Sequence, residues 1–207
     1  FSPQDIPGLV IWMDASNESS FDLNETNNAV LDWNNSVIGQ GYNFTRSWGD
    51  PTRKFSGGKW TVNFDGSDML GTDSSFNGKN YTIFSISRQT GGDNQRLIAS
   101  HHNWLFGYHN GGNNRFHFNG WLHNGSDASD TNWHIHTATM NSNDQGSTWK
   151  NLVPGVITGA GASNSSSHPG KIRFGGWRNE LGNNSETSKG EVSAFLLFNS
   201  ELSNTER

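Results

Sequence analysis

The sequence predicts an all-β protein built as a sandwich or barrel, and three observations carry that expectation. Charged residues make up only 16% of the 207. The polar character comes instead from Asn, Ser, Gly and Thr, which favour turns and exposed strand faces over helix interiors. Short β-type segments recur between turn clusters, and no long helical period interrupts them. In chain order these segments are "GLVIWMDA" (8–15), "KWTVNFDGSD" (59–68), "YTIFSISRQ" (81–89), "RLIAS" (96–100), "WLFGYH" (104–109), "RFHFNGWL" (115–122), "NWHIHTATM" (132–140), "KIRFGGW" (171–177) and "EVSAFLLFN" (191–199). Each has the length of a strand, and "GGNN", "NGSD" and "SNSSSHPG" mark reversals between them. At the end, Ser200 is placed to cap a short helix over "ELSNTER".

The stretch from 103 to 125 shows how the period of two sorts side chains. In "WLFGYH" the rings of Trp104, Phe106 and Tyr108 alternate with Leu105, Gly107 and His109, so the bulky set shares one face. In "RFHFNGW" Phe116 and Phe118 alternate with His117, Asn119 and Trp121. Joined by "NGGNN", whose residues tolerate positive φ, the two form a hairpin with an aromatic face for the core. The second face carries His109, His117, Asn119 and Trp121, which core packing does not explain.

Composition bounds the function. A chain of this length suits one domain covering residues 1–207, and no Pro-rich or low-complexity linker divides it. A net charge of −5, with basic residues that never form a run, gives no footprint for a nucleic acid. Cysteine is absent, so disulfides and thiolate metal sites are excluded. No apolar run reaches the ~18 to 20 residues of a membrane-spanning helix, so membrane insertion is not expected. Eight Asn-x-Ser/Thr sequons occur, at Asn17, Asn24, Asn34, Asn43, Asn80, Asn124, Asn164 and Asn183, where the composition alone would give roughly five. They are the candidate glycosylation sites of a secreted chain.

Five motifs occur in an order that resembles the LamG-like jelly-roll domains of the concanavalin A-like lectin/glucanase superfamily. They are "IPGLVIWMDAS", "VNFDGSDML", "NWLFGYHNG" with "FNGWLHN", "DTNWHIHTAT" and "GEVSAFLLFNSELSNTER". The resemblance covers essentially the whole chain. It implies two antiparallel sheets packed face to face, first and last strands adjacent, in an extracellular protein that binds carbohydrate or serves adhesion. It also implies a helix past the "LSNTER" position, which would leave this chain short of the full unit.

An enzyme is not expected. Glycosidases of that superfamily resemble one another in a strand with carboxylates at alternate positions, because two carboxyl groups must flank one bond at ~5 to 5.5 Å for retention. None of the seven Glu forms such a strand. Asp65 and Asp68 in "FDGSD" read as a turn, and no G-x-S-x-G nucleophile elbow occurs. The resemblance places a rim Ca²⁺ where this chain has Asn119 and the segment around Asn164, neutral amides that supply no charge. Asp127 and Asp130 in "NGSDASD", and Asp14 with "ASNESS", are alternative oxygen clusters for Ca²⁺, against the plainer reading as solvated turns. His134 and His136 in "WHIH", at i and i+2, have the spacing for one Zn²⁺ with His117 or His123 as third ligand. Structural strand histidines are the commoner outcome.

Sugar binding needs a flat ring to stack on a pyranose and polar groups that bond its hydroxyls. Trp48, Trp104, Trp121 and Trp177 sit among such partners, whereas Trp12, Trp33, Trp60 and Trp133 occupy apolar or family-defining strand positions. The favoured set is His101, His102 and Trp121 with Trp177 and Arg178. The sequence thus points to an extracellular carbohydrate-binding or adhesion module whose partners are glycans or other surface proteins. A self-assembling structural subunit of a glycosylated filament is the alternative.

Overall fold

The computed structural model describes residues 2–91, 95–100, 103–118, 120–125, 127–128, 130–155, 168–178 and 184–207, with the backbone alone for Arg178 and Asn184. The strands are β1 (Leu9–Asp14), β2 (Phe21–Leu23), β3 (Val30–Trp33), β4 (Phe44–Trp48), β5 (Thr52–Ser56), β6 (Lys59–Asp65), β7 (Met69–Thr72), β8 (Tyr81–Gln89), β9 (Ile98–Ser100) and β10 (Leu105–His109). They continue as β11 (Gly112–His117), β12 (Trp121–Asn124), β13 (His134–Met140), β14 (Gly146–Lys150), β15 (Val153–Pro154), β16 (Ile172–Phe174), β17 (Trp177–Arg178), β18 (Asn184–Ser185) and β19 (Lys189–Phe198). Eight strands form one antiparallel sheet in the order β15-β14-β13-β8-β19-β6-β5, with β1 also on β19. Nine form the other, in the order β12-β11-β10-β9-β16-β7-β4-β3-β2, and β17-β18 make a separate two-stranded ribbon. The fold is therefore the two-sheet sandwich that the sequence predicts, with the first and last strands paired.

The facing surfaces meet in one aromatic core. Phe44 of the nine-stranded sheet stacks on Phe174 at 4.2 Å between ring centres, and both meet Phe195 of the eight-stranded sheet edge-on. Trp104, Phe106, Tyr108, Phe116 and Phe118 have no exposed surface, as the alternation in residues 104–118 requires. Each fully buried Phe contributes roughly 1.5–3 kcal/mol by leaving water. The polar tips are satisfied: Trp104 Nε1 donates to the Tyr81 hydroxyl at 3.2 Å, and the Tyr108 hydroxyl lies 3.1 Å from Ser87 Oγ.

Several expectations need correction. "RFHFNGWL" is not one strand but the end of β11 and the start of β12, because the Phe118 amide closes on the Gly120 carbonyl at 3.0 Å. Residues 201–207 form turns and no helix. There the Thr82 hydroxyl donates to the Ser200 carbonyl and accepts from the Leu202 amide, which ties the chain to β8 where a helix would start. Trp104 is core and not a sugar platform. Trp60 is 38% exposed and not core. It shares the inward parity of Val62 and Phe64 but lies at the β5–β6 hairpin end, where Arg53 covers its ring at 4.0 Å.

One buried imidazole makes stability depend on pH. His136 has no exposed surface, and its Nε2 donates to the Asn113 carbonyl at 2.7 Å. Burial lowers its pKa to about 3. Gly107, at φ +89°, lies directly beneath the ring, and a Cβ there would stand 2.8 Å from His136 Nδ1. Because the folded pKa lies below the unfolded value, this contribution is complete above about pH 6.5 and is lost as pH falls toward 3. Chemical denaturation between pH 7 and 4 should show stability falling on the order of 1 kcal/mol per pH unit, with a shallower slope in His136→Gln. Gly107→Ala should lower stability by at least about 1 kcal/mol, through both backbone strain and the clash, read as a lower midpoint in the same measurement.

Candidate glycan-binding face

The outward face of the nine-stranded sheet gathers the residues that core packing leaves over. In register across the strands, Trp121 pairs with His117, His117 with Leu105, Leu105 with Ala99, Ala99 with Arg173 and Arg173 with Gly71, so these six share one face. The Trp121 ring lies 5.1 Å from His117, edge-on, and 5.6 Å from His109. It is half-buried, so part of its surface stays open beside two imidazoles.

A second tryptophan joins through a charged bridge. Glu186 Oε2 stands 3.8 Å from His109 Nε2 and forms an ion pair with Arg96 Nε. The Arg96 amide also donates to the Glu186 carbonyl at 3.0 Å, and the guanidinium lies 5.1 Å over the ring of Trp177 in β17. Trp121, His109, Glu186, Arg96 and Trp177 therefore run as one chain of contacts. Two residues around it hold positive φ, Glu186 at 48° and Asn103 at 58°, and the Asn103 carbonyl accepts from His117 Nδ1 at 2.8 Å.

The electrostatics keep both imidazoles neutral near pH 7. Burial lowers the pKa of His109, and Arg96 lowers it further against the opposing pull of Glu186. His117 is lowered by burial first, with Arg96 adding to it and its bond to Asn103 working against. Burial also lowers Arg96, offset by Glu186. Chemically, the face offers two indole rings, a neutral His109 that can donate and accept, an acceptor nitrogen on His117 and one carboxylate acceptor.

Of the residues expected from sequence, Trp121 and Trp177 are brought into this cluster. His101, His102 and the Arg178 side chain lie outside the described residues. Arg96 and Glu186 were missed, because 90 positions separate them and nothing local marks either as a partner of the tryptophans. The signal for His109 and His117 was their strand parity.

The metal candidates lie elsewhere. Asp127 is paired with the Lys150 ammonium, which holds its carboxyl below the usual range. Asp130 accepts from His134 Nε2 at 2.9 Å, Asn113 Nδ2 at 2.8 Å and the Asn132 amide at 2.8 Å. Burial works against its ionisation, but those donors keep its pKa low. A Ca²⁺ on this pair would have to displace Lys150, so the donor set fits a strap better than a cation site. Asp14 accepts from the Ser16 amide and hydroxyl, as a turn does. His136 turns to Asn113 while His134 turns to Asp130, so the "WHIH" pair does not converge on one ion. Among the described residues no group of three or more His, Asp or Glu is arranged to hold a metal. Asn119 and Asn164 lie outside the described residues. Of the sequons, Asn17, Asn43, Asn80 and Asn124 are exposed and Asn24 and Asn34 half-buried, while Asn164 and Asn183 are not described.

No protein-family model matches the chain, and no curated protein sequence does. Solved structures do. A Trypanosoma rangeli sialidase in complex with sialic acid matches at TM-score 0.58 and 16% identity, over 97% of this chain and 32% of that one. Domain 4 of AbnA, a GH43 extracellular arabinanase from Geobacillus stearothermophilus in complex with arabinotriose, matches at TM-score 0.58 and 9% identity, over 96% of this chain and 95% of that one. A botulinum neurotoxin type C structure, concerned with cell entry through two ganglioside molecules, matches at TM-score 0.57 and 14% identity, over 99% and 51%. The chain thus spans about a third of the length of the sialidases. At these identities the likeness is one of fold, a two-sheet β-sandwich, and it does not single out the LamG branch.

The comparisons correct one expectation. The sequence reading excluded an enzyme, yet the matched chains are mostly sialidases and a glycoside hydrolase domain, so the fold gives no ground for that exclusion. No described residue pair in this chain is shown to catalyse a reaction.

The two site imidazoles should titrate below the ordinary histidine range. In an NMR pH titration, His109 and His117 should reach half-protonation below pH 6.5, with His136 lower than both.

Proposed function

We propose that this chain is a carbohydrate-binding β-sandwich domain of a secreted or surface protein, with the glycan held on the outward face of the nine-stranded sheet. The observation that carries the reading is the continuous contact from Trp121 through His109, Glu186 and Arg96 to Trp177. A pyranose stacks its CH face on an indole ring, and its hydroxyls need donors and acceptors fixed in a plane beside that ring. Trp121 supplies the ring, His109 supplies a donor and an acceptor nitrogen, His117, whose Nδ1–H is committed to Asn103, supplies an acceptor, and Glu186 supplies an acceptor fixed by Arg96. Related support comes from the arabinotriose complex of the arabinanase domain, which aligns with this chain over nearly its whole length. The exposed sequons suit a secreted context, in which the domain serves recognition or adhesion.

The test is an oligosaccharide panel followed by calorimetry on the best binder. Trp121→Ala should weaken that binding roughly tenfold or more, the equivalent of ~1.4 kcal/mol, while the half-buried position leaves the melting temperature near that of the parent. Unchanged affinity in a folded Trp121→Ala protein would remove the face from consideration.

A further inference from the structure

Two side chains from opposite sheets meet between the layers, at the end of the sandwich where β11 and β14 run beside the edge strands β12 and β15. Lys150 lies opposite His136 in the β13–β14 pairing, so it shares the inward direction of that buried imidazole. An inward lysine is uncommon, because its ammonium gives up water and needs partners in exchange. Its Nζ is paired with the Asp127 carboxylate and donates to Oδ1 of Asn113 in β11 at 3.3 Å.

Asn113 is the buried member, 1% exposed, and its side chain is held from every side. Its Nδ2 donates to Asp130 Oδ2 at 2.8 Å. His134 Nε2 lies 3.2 Å from the same Nδ2 and donates to the other Asp130 oxygen at 2.9 Å. The Asn113 main-chain carbonyl accepts from His136 Nε2 at 2.7 Å. One amide thus has an amine at its oxygen, a carboxylate at its nitrogen and a second carboxylate on the amine. Those are the parts of an acyl transfer, a nucleophile with its proton acceptor and an acyl group with an oriented leaving group, and the fold brings them together where water has little access.

We propose that Lys150 and Asn113 join through an intramolecular isopeptide bond, formed once the chain has folded. Nζ attacks Cγ of Asn113 as Asp127 takes a proton from it, and the Cγ–Nδ2 bond then breaks with its electron pair leaving on Nδ2. The two protons that Nζ loses depart with Nδ2 as ammonium, so one C–N bond replaces another and no oxidant or reductant is needed. Asp130 accepts from Nδ2–H, which fixes the plane of the amide and stabilises the charge that develops on the departing nitrogen. The bond closes 37 positions of the chain and ties the nine-stranded sheet to the eight-stranded one, in a protein with no cysteine to do so. It lies between the sheets and leaves the outward Trp121 face untouched, so it stands independently of the glycan reading.

Intact-mass spectrometry of the full chain, produced without glycosylation, tests this. The parent should weigh about 17 Da less than its sequence, the mass of one ammonia. Its tryptic digest should contain a branched peptide that carries both Asn113 and Lys150. Lys150→Arg keeps the positive charge but has no attacking amine. It should show the full sequence mass and melt on the order of 10 °C below the parent, because the loop is no longer closed. Asp127→Asn keeps a polar partner for Lys150 but removes the proton acceptor, and cross-linking should slow by about a hundredfold or more. A parent at its full sequence mass would overturn the proposal, as would a digest without the branched peptide. A deficit of the same size that persists in Lys150→Arg would also overturn it, by assigning the lost ammonia to a succinimide at one of the Asn-Gly pairs. The branched peptide is read on the parent alone, so the test holds even where a variant fails to fold.

Discussion

The structure depends on the two-residue period of the β10–β11 hairpin. Trp104, Phe106 and Tyr108, then Phe116 and Phe118, must all face one way, and together they fill that end of the space between the sheets. Their mutual stacking, as close as 4.8 Å between Trp104 and Phe118, leaves no freedom to slip by one residue, since a slip would put every ring in water. The same constraint decides where the other side chains go. His109, His117 and Trp121 reach the outward face because their neighbours in sequence are committed to the core. Site and core are thus two faces of one strand pair, and the site inherits its rigidity from aromatic packing beneath it.

That constraint also explains what could be read from sequence. Alternation in residues 104–118 gave both the buried rings and the outward histidines correctly, because strand parity is a local property. The two tryptophans that were misplaced show its limit. Trp60 has inward parity, but parity does not say where the facing sheet ends, and the hairpin carries Trp60 beyond it. Trp104 follows "HHN" and sits among polar neighbours, yet its parity with Phe106 decides its burial. Strands β2 to β5 were not anticipated, since their residues are short runs of mixed polarity whose pairing is fixed by partners far along the chain. Arg96 and Glu186 belong to the same class of long-range fact. Their pairing joins the start of β9 to the segment after β18, and no local pattern encodes it.

The Arg96–Glu186 pair gives the face a particular electrostatic character. A buried guanidinium without a partner would be costly, and a carboxylate beside it makes its burial tolerable. Burial lowers the pKa of His109 and His117, and the cation adds to it, so both are held in their neutral forms. Neutral imidazoles suit hydroxyl recognition because each keeps an acceptor nitrogen, which the charged form lacks, even where the other nitrogen is committed, as His117 Nδ1 is to Asn103. The fold comparisons cannot supply this kind of statement. Sialidase, arabinanase and neurotoxin chains share the sandwich at 9–16% identity, so what distinguishes this chain lies in side chains that the backbone likeness does not determine.

Backbone strain separates the residues that serve the fold from those that serve contacts. Most of the chain's left-handed positions are glycine or asparagine, residues that adopt that conformation at little cost. Tyr42, Asp144, Glu186 and Leu152 are exceptions. Glu186 is over-determined by Arg96, which bonds it through both backbone and side chain, so its strain is held in place by a neighbour and its carboxylate is fixed where His109 can meet it. Leu152 has no such restraint from burial, being 74% exposed, yet the turn persists because the Lys150–Val153 pairing closes around it. Leu152, at the β14–β15 turn, belongs to the eight-stranded sheet, while Glu186 lies against Arg96 and His109 beside the nine-stranded one, so these two strained positions stand on opposite layers of the sandwich.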